Sequence, residues 1–166
     1  MKHTGSDLFI RPIRAGDDAA LAALVRSSLK RHGLDIPGTA YFDACLDKLS
    51  DYYSLRPDKR AYFVLTDGQN VLGGIGIAEL DEIPSCAEMQ KLYIDTRVQG
   101  RRLSYKLIGC AEAKARELGY KRMYLETHTR LAAAIHVYES CGYKSTKPPA
   151  FAVHGAMDRF YIKEIS

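Results

Sequence analysis

The stretch YIDTRVQGRRLSYKLIGCAEAKARELGY, Tyr93 to Tyr120, holds the pattern from which the rest of the chain can be read. It divides into the end of a strand at Ile94, a polar loop containing Gly100, and an amphipathic helix predicted over Leu103 to Leu118. Arg97, Arg101 and Arg102 crowd the start of that helix, where the dipole is already positive and acidic residues would be favoured. The first backbone N–H groups of a helix have no partner within it, so a strand–loop–helix unit of this kind suits an anion. Gly100 lets the backbone approach a ligand, Ser104 adds a hydroxyl donor, and Arg101 or Arg102 can make bidentate contacts to phosphate oxygens. From the loop alone, a basic surface turn that binds nothing remains the alternative.

Working outward, LFIRPIR (Leu8–Arg14) alternates like a half-buried strand. AGDDAALAALVRSSLKRHG predicts a helix with Asp17 as N-cap and Gly33 as its stop. DIPGTAYFDACLDKLSDYYSL turns at its Pro/Gly pair and is expected to become a second helix, broken before Pro57. RAYFVLTDGQNVLGGIGIAEL reads as a hairpin around DGQN, and CAEMQKLYID as the strand that enters the opening stretch. KRMYLETHT is a further strand, RLAAAIHVYESCG a helix ended by Gly142, and the tail a short strand, a Pro-containing loop and a last strand. The order β, two helices, three antiparallel strands, helix, β, helix, β, β is that of a mixed α/β layer.

At 166 residues, the chain is expected to form one domain, residues 1–166, with a core large enough to need neither disulfides nor metal. Apolar residues at 46% and charged ones at 27% argue against disorder. A net charge of +4 suits an anionic ligand but falls short of a dedicated nucleic-acid binder. Cys45, Cys86, Cys110 and Cys141 form no C-x-x-C pair and read as small core or half-buried thiols. With no secretory leader and no apolar run near membrane length, the expectation is a cytoplasmic chain without membrane contact. The opening MKHTGSD reads as a frayed terminus.

VQGRRLSYKLIGCAEAKARELGY resembles the pyrophosphate-binding segment of the GNAT superfamily of N-acetyltransferases, whose loop reads Q/R-x-x-G-x-G/A. Gln99 stands at its first position, Arg102 where the family usually has glycine, and Ser104 at the final small residue. Ala134 to Tyr143, AIHVYESCGY, is similar to the second family signature, and the element order is the family's along nearly the whole chain. The resemblance implies an α/β (α+β) fold with a central mixed, mostly antiparallel sheet flanked by helices. It also implies acetyl-CoA as cosubstrate and transfer of its acetyl group to a primary amine of a small molecule or peptide. By resemblance the cofactor contacts are Leu92, Tyr93 and Ile94 on the strand and Gln99, Gly100, Arg101, Arg102, Leu103 and Ser104 in the loop. Because Arg102 carries a Cβ, its φ is expected to be negative. Leu131 holds a position where the family often has asparagine toward the pantetheine arm, so Thr129 or backbone groups are expected to take that role.

Acetyl transfer requires an amine that loses its proton, donors for developing charge, and a proton for the departing thiolate. Tyr138 matches the family's general acid; a phenol with a reference pKa of about 10 is protonated at neutral pH. By resemblance Glu88, on the fourth strand where some members of the family carry a catalytic glutamate, is the candidate base, with Glu126 and then Glu79 behind it and a water chain as the alternative. His128 and His136 lack zinc spacing, so no metal is expected; His154 sits in the Pro-containing loop on the presumed acceptor side. By the same resemblance the acceptor pocket is expected around Leu34–Tyr53 and Thr146–Arg159, with Tyr41, Phe42, Tyr52, Tyr53 and Phe151 available and Asp35 and Asp43 as possible partners for a cation. Rival readings are a silent coenzyme A sensor with the same fold and a nucleic-acid binder using Arg97, Arg101, Arg102, Lys106 and Lys121. The interspersed acidic residues oppose the latter. A monomer or a homodimer both fit.

Overall fold

A computed structural model describes residues 7–152 and 155–166. The six residues before Asp7, most of the expected frayed terminus, lie outside that range, as does His154. Among the described residues, seven strands form one sheet in the order β1-β2-β3-β4-β5-β7-β6. They are β1 (Phe9–Pro12), β2 (Ala61–Thr66), β3 (Val71–Glu79), β4 (Cys86–Ile94), β5 (Arg122–Thr127), β6 (Lys144–Ser145) and β7 (Arg159–Glu164). Every pairing is antiparallel except β4 with β5. Four α-helices among the described residues flank it: α1 (Asp18–Arg31), α2 (Leu49–Ser54), α3 (Leu103–Glu117) and α4 (Ala132–Ser140). The expected element order and the mixed, mostly antiparallel sheet are both present.

Alternation along the central strands divides the core between two faces. Leu65, Ile75, Ile77, Ala87 and Met89 pack with Leu107, Ile108 and Ala111 of α3, and α4 contributes Tyr138 to the same cluster. The opposite face sets Tyr62 and Val64 against Leu21, Val25 and Leu29 of α1 and Tyr53 of α2. Leu107 is fully buried; burying a side chain of that size contributes about 1.5–3 kcal/mol, which is why α3 is held to its amphipathic register.

The second predicted helix is largely not a helix. Residues 40–42 and 46–48 form 3-10 turns, and only Leu49–Ser54 is α-helical. Thr39, 2% exposed, donates its hydroxyl to the Leu34 and Ile36 carbonyls and accepts the Tyr41 N–H, holding the chain in a turn. Asp18 of α1 then accepts the backbone N–H and hydroxyl of Ser50, at 2.8 and 2.6 Å, and so fixes where α2 begins. Asp17 does occupy the N-cap position of α1, but its carboxylate makes no cap bond to that helix. It accepts both Arg11 terminal nitrogens and the Arg14 N–H instead.

Two irregularities in the sheet shape the site. On β4, Lys91 and Leu92 together stand opposite Ile75 of β3, a bulge with Lys91 in the left-handed region at φ 50°. The extra residue reverses the alternation: Glu88 and Gln90 face α1 and α2, whereas Leu92 and Ile94 pack into the α3-side cluster and Tyr93 into the opposite one. The Tyr62 hydroxyl donates to the Lys91 carbonyl at 2.9 Å, giving the bulge a partner. The second irregularity is the end of pairing between β4 and β5. It runs only through Cys86↔Arg122, Ala87↔Met123 and Glu88↔Tyr124, so the strands part beyond Glu88.

Candidate active site

A cavity of about 960 Å³ occupies the opening between β4 and β5 and reaches the first turn of α3. That is room for a ligand of cofactor size. Of the residues singled out from sequence, Glu88, Leu92, Tyr93, Ile94, Gln99, Gly100, Arg102, Leu103, Ser104 and Tyr138 all line it. Arg101 does not, and it is exposed. Arg97 is also elsewhere, paired with Asp95 at 2.9 Å. Of the three arginines at the loop, Arg102 is the one the cavity wall contains.

The loop departs from expectation in its backbone. Arg102 adopts φ 58° and ψ 24°, left-handed and not negative, and is the N-cap residue of α3 without a side-chain cap bond. Gly100 is left-handed as well, at φ 78°. The left-handed Arg102 is followed by the right-handed first turn of α3, and such a pair turns successive N–H groups toward one side, a nest for an anion continuous with the free N–H groups of the helix start. For arginine, this conformation costs about 1–2 kcal/mol. The guanidinium lies over the Tyr105 ring, 4.9 Å from its centroid, and the Gln99 side chain ties the loop back to the Ile94 carbonyl at 3.1 Å.

Glu88 is 9% exposed. Its carboxyl is pushed up to about 7, first by burial and then by the negative charges of Glu126 and Asp43, with Gln90 and Lys91 acting the other way. A carboxyl so placed is a stronger base than an ordinary one and still ionises near neutrality. Glu126 also lines the cavity and accepts the Tyr124 hydroxyl at 2.9 Å. Glu79 is away from it, held by Arg60 and Arg56, and drops out as a base. Tyr138 is 7% exposed, and burial raises its phenol well above the ordinary value, so it keeps its proton at neutral pH.

Of the residues expected around an acceptor, Tyr52 and Asp43 are in the cavity wall. Tyr41, Phe42, Tyr53, Phe151 and Asp35 are not part of it: Tyr41 packs at a tilt against Phe42, and Phe151 against Tyr124. Asp43 meets a cation from its own chain, Lys91, at 2.8 Å, and both line the cavity. Thr129, expected to replace the missing asparagine, gives its hydroxyl and N–H to Asp158 at 2.6 and 2.8 Å and does not face the cavity. His136 lines it, while His128 accepts the Arg130 N–H. Among the described residues, no group of three or more His, Cys, Asp or Glu is placed to hold a metal, and no helix is long and apolar enough to cross a membrane. Sequence reasoning missed Gln90 and Lys91. Their only local signal is the interrupted alternation of MQKLYI opposite the glycines of LGGIGI.

Comparison with known proteins agrees with this geometry. A Staphylococcus aureus Mu50 acetyltransferase of the GNAT family superimposes with a TM-score of 0.85 at 19% identity, over 96% of this chain and all of that one. The YncA acetyltransferase structure from Salmonella typhimurium, solved with its cofactor acetyl-CoA, gives 0.74 at 20% identity, over 96% and 95%. An Escherichia coli (strain K12) protein described as the uncharacterized N-acetyltransferase YjgM is 37% identical over 137 residues, 81% of each chain. The family model for GNAT acetyltransferases matches residues 26–143, and it spans both the Gln99–Ser104 loop and the Tyr138 helix. The chain belongs to the acetyltransferase (GNAT) family.

Proposed function

We propose that this chain, working as one domain, is an acetyl-CoA-dependent N-acetyltransferase that transfers the acetyl group directly to a primary amine of a small molecule or peptide. The observation that carries the reading is that Glu88, Tyr138, Gly100 and the Arg102–Ser104 nest all open into one cavity at the parting of β4 and β5.

The residues present suit the cofactor. The nest and the Arg102 guanidinium hold the pyrophosphate, and the β4 edge at Leu92, Tyr93 and Ile94, which has no β5 partner, offers backbone groups to the pantetheine arm. When bound, acetyl-CoA supplies an acetyl group activated as a thioester. Glu88 accepts the proton of the incoming ammonium at a carboxylate oxygen, directly or through one water. The Tyr138 hydroxyl holds the proton required by the leaving thiol and recovers one from solvent. Low exposure of both groups excludes bulk water from the reacting atoms and strengthens each interaction there.

The test is a panel of amino acids, polyamines, aminoglycosides and peptides assayed for thiol release from acetyl-CoA, with melting temperature followed as coenzyme A is added. Amine-dependent release and a concentration-dependent rise in melting temperature are expected. A rise without release for any amine class would favour the coenzyme A sensor, and neither result would remove the cofactor from this cavity.

A further inference from the structure

Glu88 and Gln90 are two residues apart on β4 before the bulge and so share a face. Gln90 Nε2 lies 3.4 Å from Glu88 Oε2, and Gln90 Oε1 accepts the Tyr53 hydroxyl at 2.8 Å. An amide held at neither end can turn over and present its oxygen to the carboxylate instead. Tyr53 prevents this. Its ring is 3% exposed and packed edge-on to Tyr52 and against Tyr62, and burial holds its phenol far above the ordinary range, so it stays a donor. Gly76, directly opposite Gln90 on β3, makes the approach possible, because a Cβ there would collide with the Tyr53 hydroxyl. Three elements thus converge on one hydrogen bond to the candidate base.

We propose that Gln90 and Tyr53 are positioning residues for Glu88: Tyr53 fixes the Gln90 amide, and the amide's NH2 end orients the carboxylate and stabilises its charged form. This deepens the reading of Glu88 as the base, and its role in the rate rests on that reading. Facing Glu88 besides Gln90 are Lys91 and Cys86 of β4, Glu126 and Tyr124 of β5, Tyr53 of α2 and Asp43 of the connection between α1 and α2. Only Lys91 and Gln90 favour the carboxylate. Removing the amide therefore leaves a net excess of opposing groups, and the carboxyl becomes harder to ionise.

The experiment is a carboxyl carbon NMR titration of protein labelled at the glutamate side chains, with the Glu88 signal identified by its loss in Glu88→Gln. Gln90→Met keeps volume and removes the amide; Tyr53→Phe keeps the ring and frees the amide to turn. Both variants are expected to move the Glu88 midpoint to higher pH, Gln90→Met by about half a unit to one unit and Tyr53→Phe by less. The acidic limb of kcat/KM for the amine should move with it, while affinity for coenzyme A stays constant. An unchanged Glu88 midpoint in both folded variants overturns the proposal. If the midpoint moves but Glu88→Gln leaves the rate profile intact, the positioning contact stands and the assignment of Glu88 as the base fails instead.

Discussion

Two carboxylates are buried in this molecule to nearly the same extent and in opposite circumstances. Glu112 of α3, 7% exposed, accepts the Tyr143 hydroxyl at 2.9 Å and Lys163 Nζ at 2.8 Å, with Arg116 3.6 Å away. Its charge is matched, and the cluster ties α3 to β7 and to the turn after α4. Glu88, 9% exposed, has an amide at 3.4 Å and two other carboxylates among its nearest charges. Burial alone does not make a base; the partners decide. A buried ion with good partners serves the fold, and one left partly unmatched holds free energy that chemistry can use.

The comparison can be sharpened by changing groups on each side of it. The largest effect is expected from Tyr138→Phe, which keeps the packed ring and removes the proton: kcat should fall about 10²–10⁴-fold with KM for acetyl-CoA nearly constant, by steady-state kinetics. Equal turnover would return Tyr138 to the role of a packed aromatic. Glu112→Ala should cost about 2–3 kcal/mol in denaturant unfolding, since it strands Lys163 and the buried Tyr143 hydroxyl, yet leave kcat per folded molecule unchanged. Arg102→Gly relaxes a left-handed residue and is expected to stabilise the fold by about 1 kcal/mol. Its affinity for coenzyme A, measured by calorimetry, should nevertheless fall, because the guanidinium that lines the cavity is gone. Arg97→Ala removes an exposed, solvent-screened ion pair with Asp95 and should change neither the unfolding midpoint nor coenzyme A affinity measurably.

Much of this arrangement was legible along the chain because its signals are local. The β4–loop–α3 unit, the β2–β3 hairpin at DGQN, and Tyr138 four residues before Gly142 are each written in contiguous residues. What escaped depends on contacts across the fold. The connection between α1 and α2 is broken by the buried Thr39 hydroxyl, and the first turn of α2 is held at Ser50 because Asp18, thirty-two residues earlier, reaches it. Thr129 is lost to the cavity because Asp158 of a distant loop takes its hydroxyl. Arg102 reads as a residue of negative φ from its Cβ, but at the turn into α3 it takes the other sign. The Lys91 bulge is stabilised by Tyr62 from a strand two places away in the sheet, and no local pattern announces that bond.

Glu88→Gln, measured for stability and rate on the same preparation, tests the central claim most directly. The Glu88 carboxyl titrates at about 7 in the fold against an ordinary 4.5, so the folded state holds the proton more tightly. Its contribution to stability is full below pH 4.5, is lost as pH rises from there to about 7, and leaves the ionised group destabilising above that. At pH 8, Glu88→Gln is therefore expected to unfold at higher denaturant than the parent, by up to about 3 kcal/mol. Its kcat/KM for the amine should be about a hundredfold lower at neutral pH, with the deficit shrinking as higher pH deprotonates the acceptor unaided. A variant less stable than the parent at pH 8, or one that acetylates the amine at the parental rate, would contradict the account.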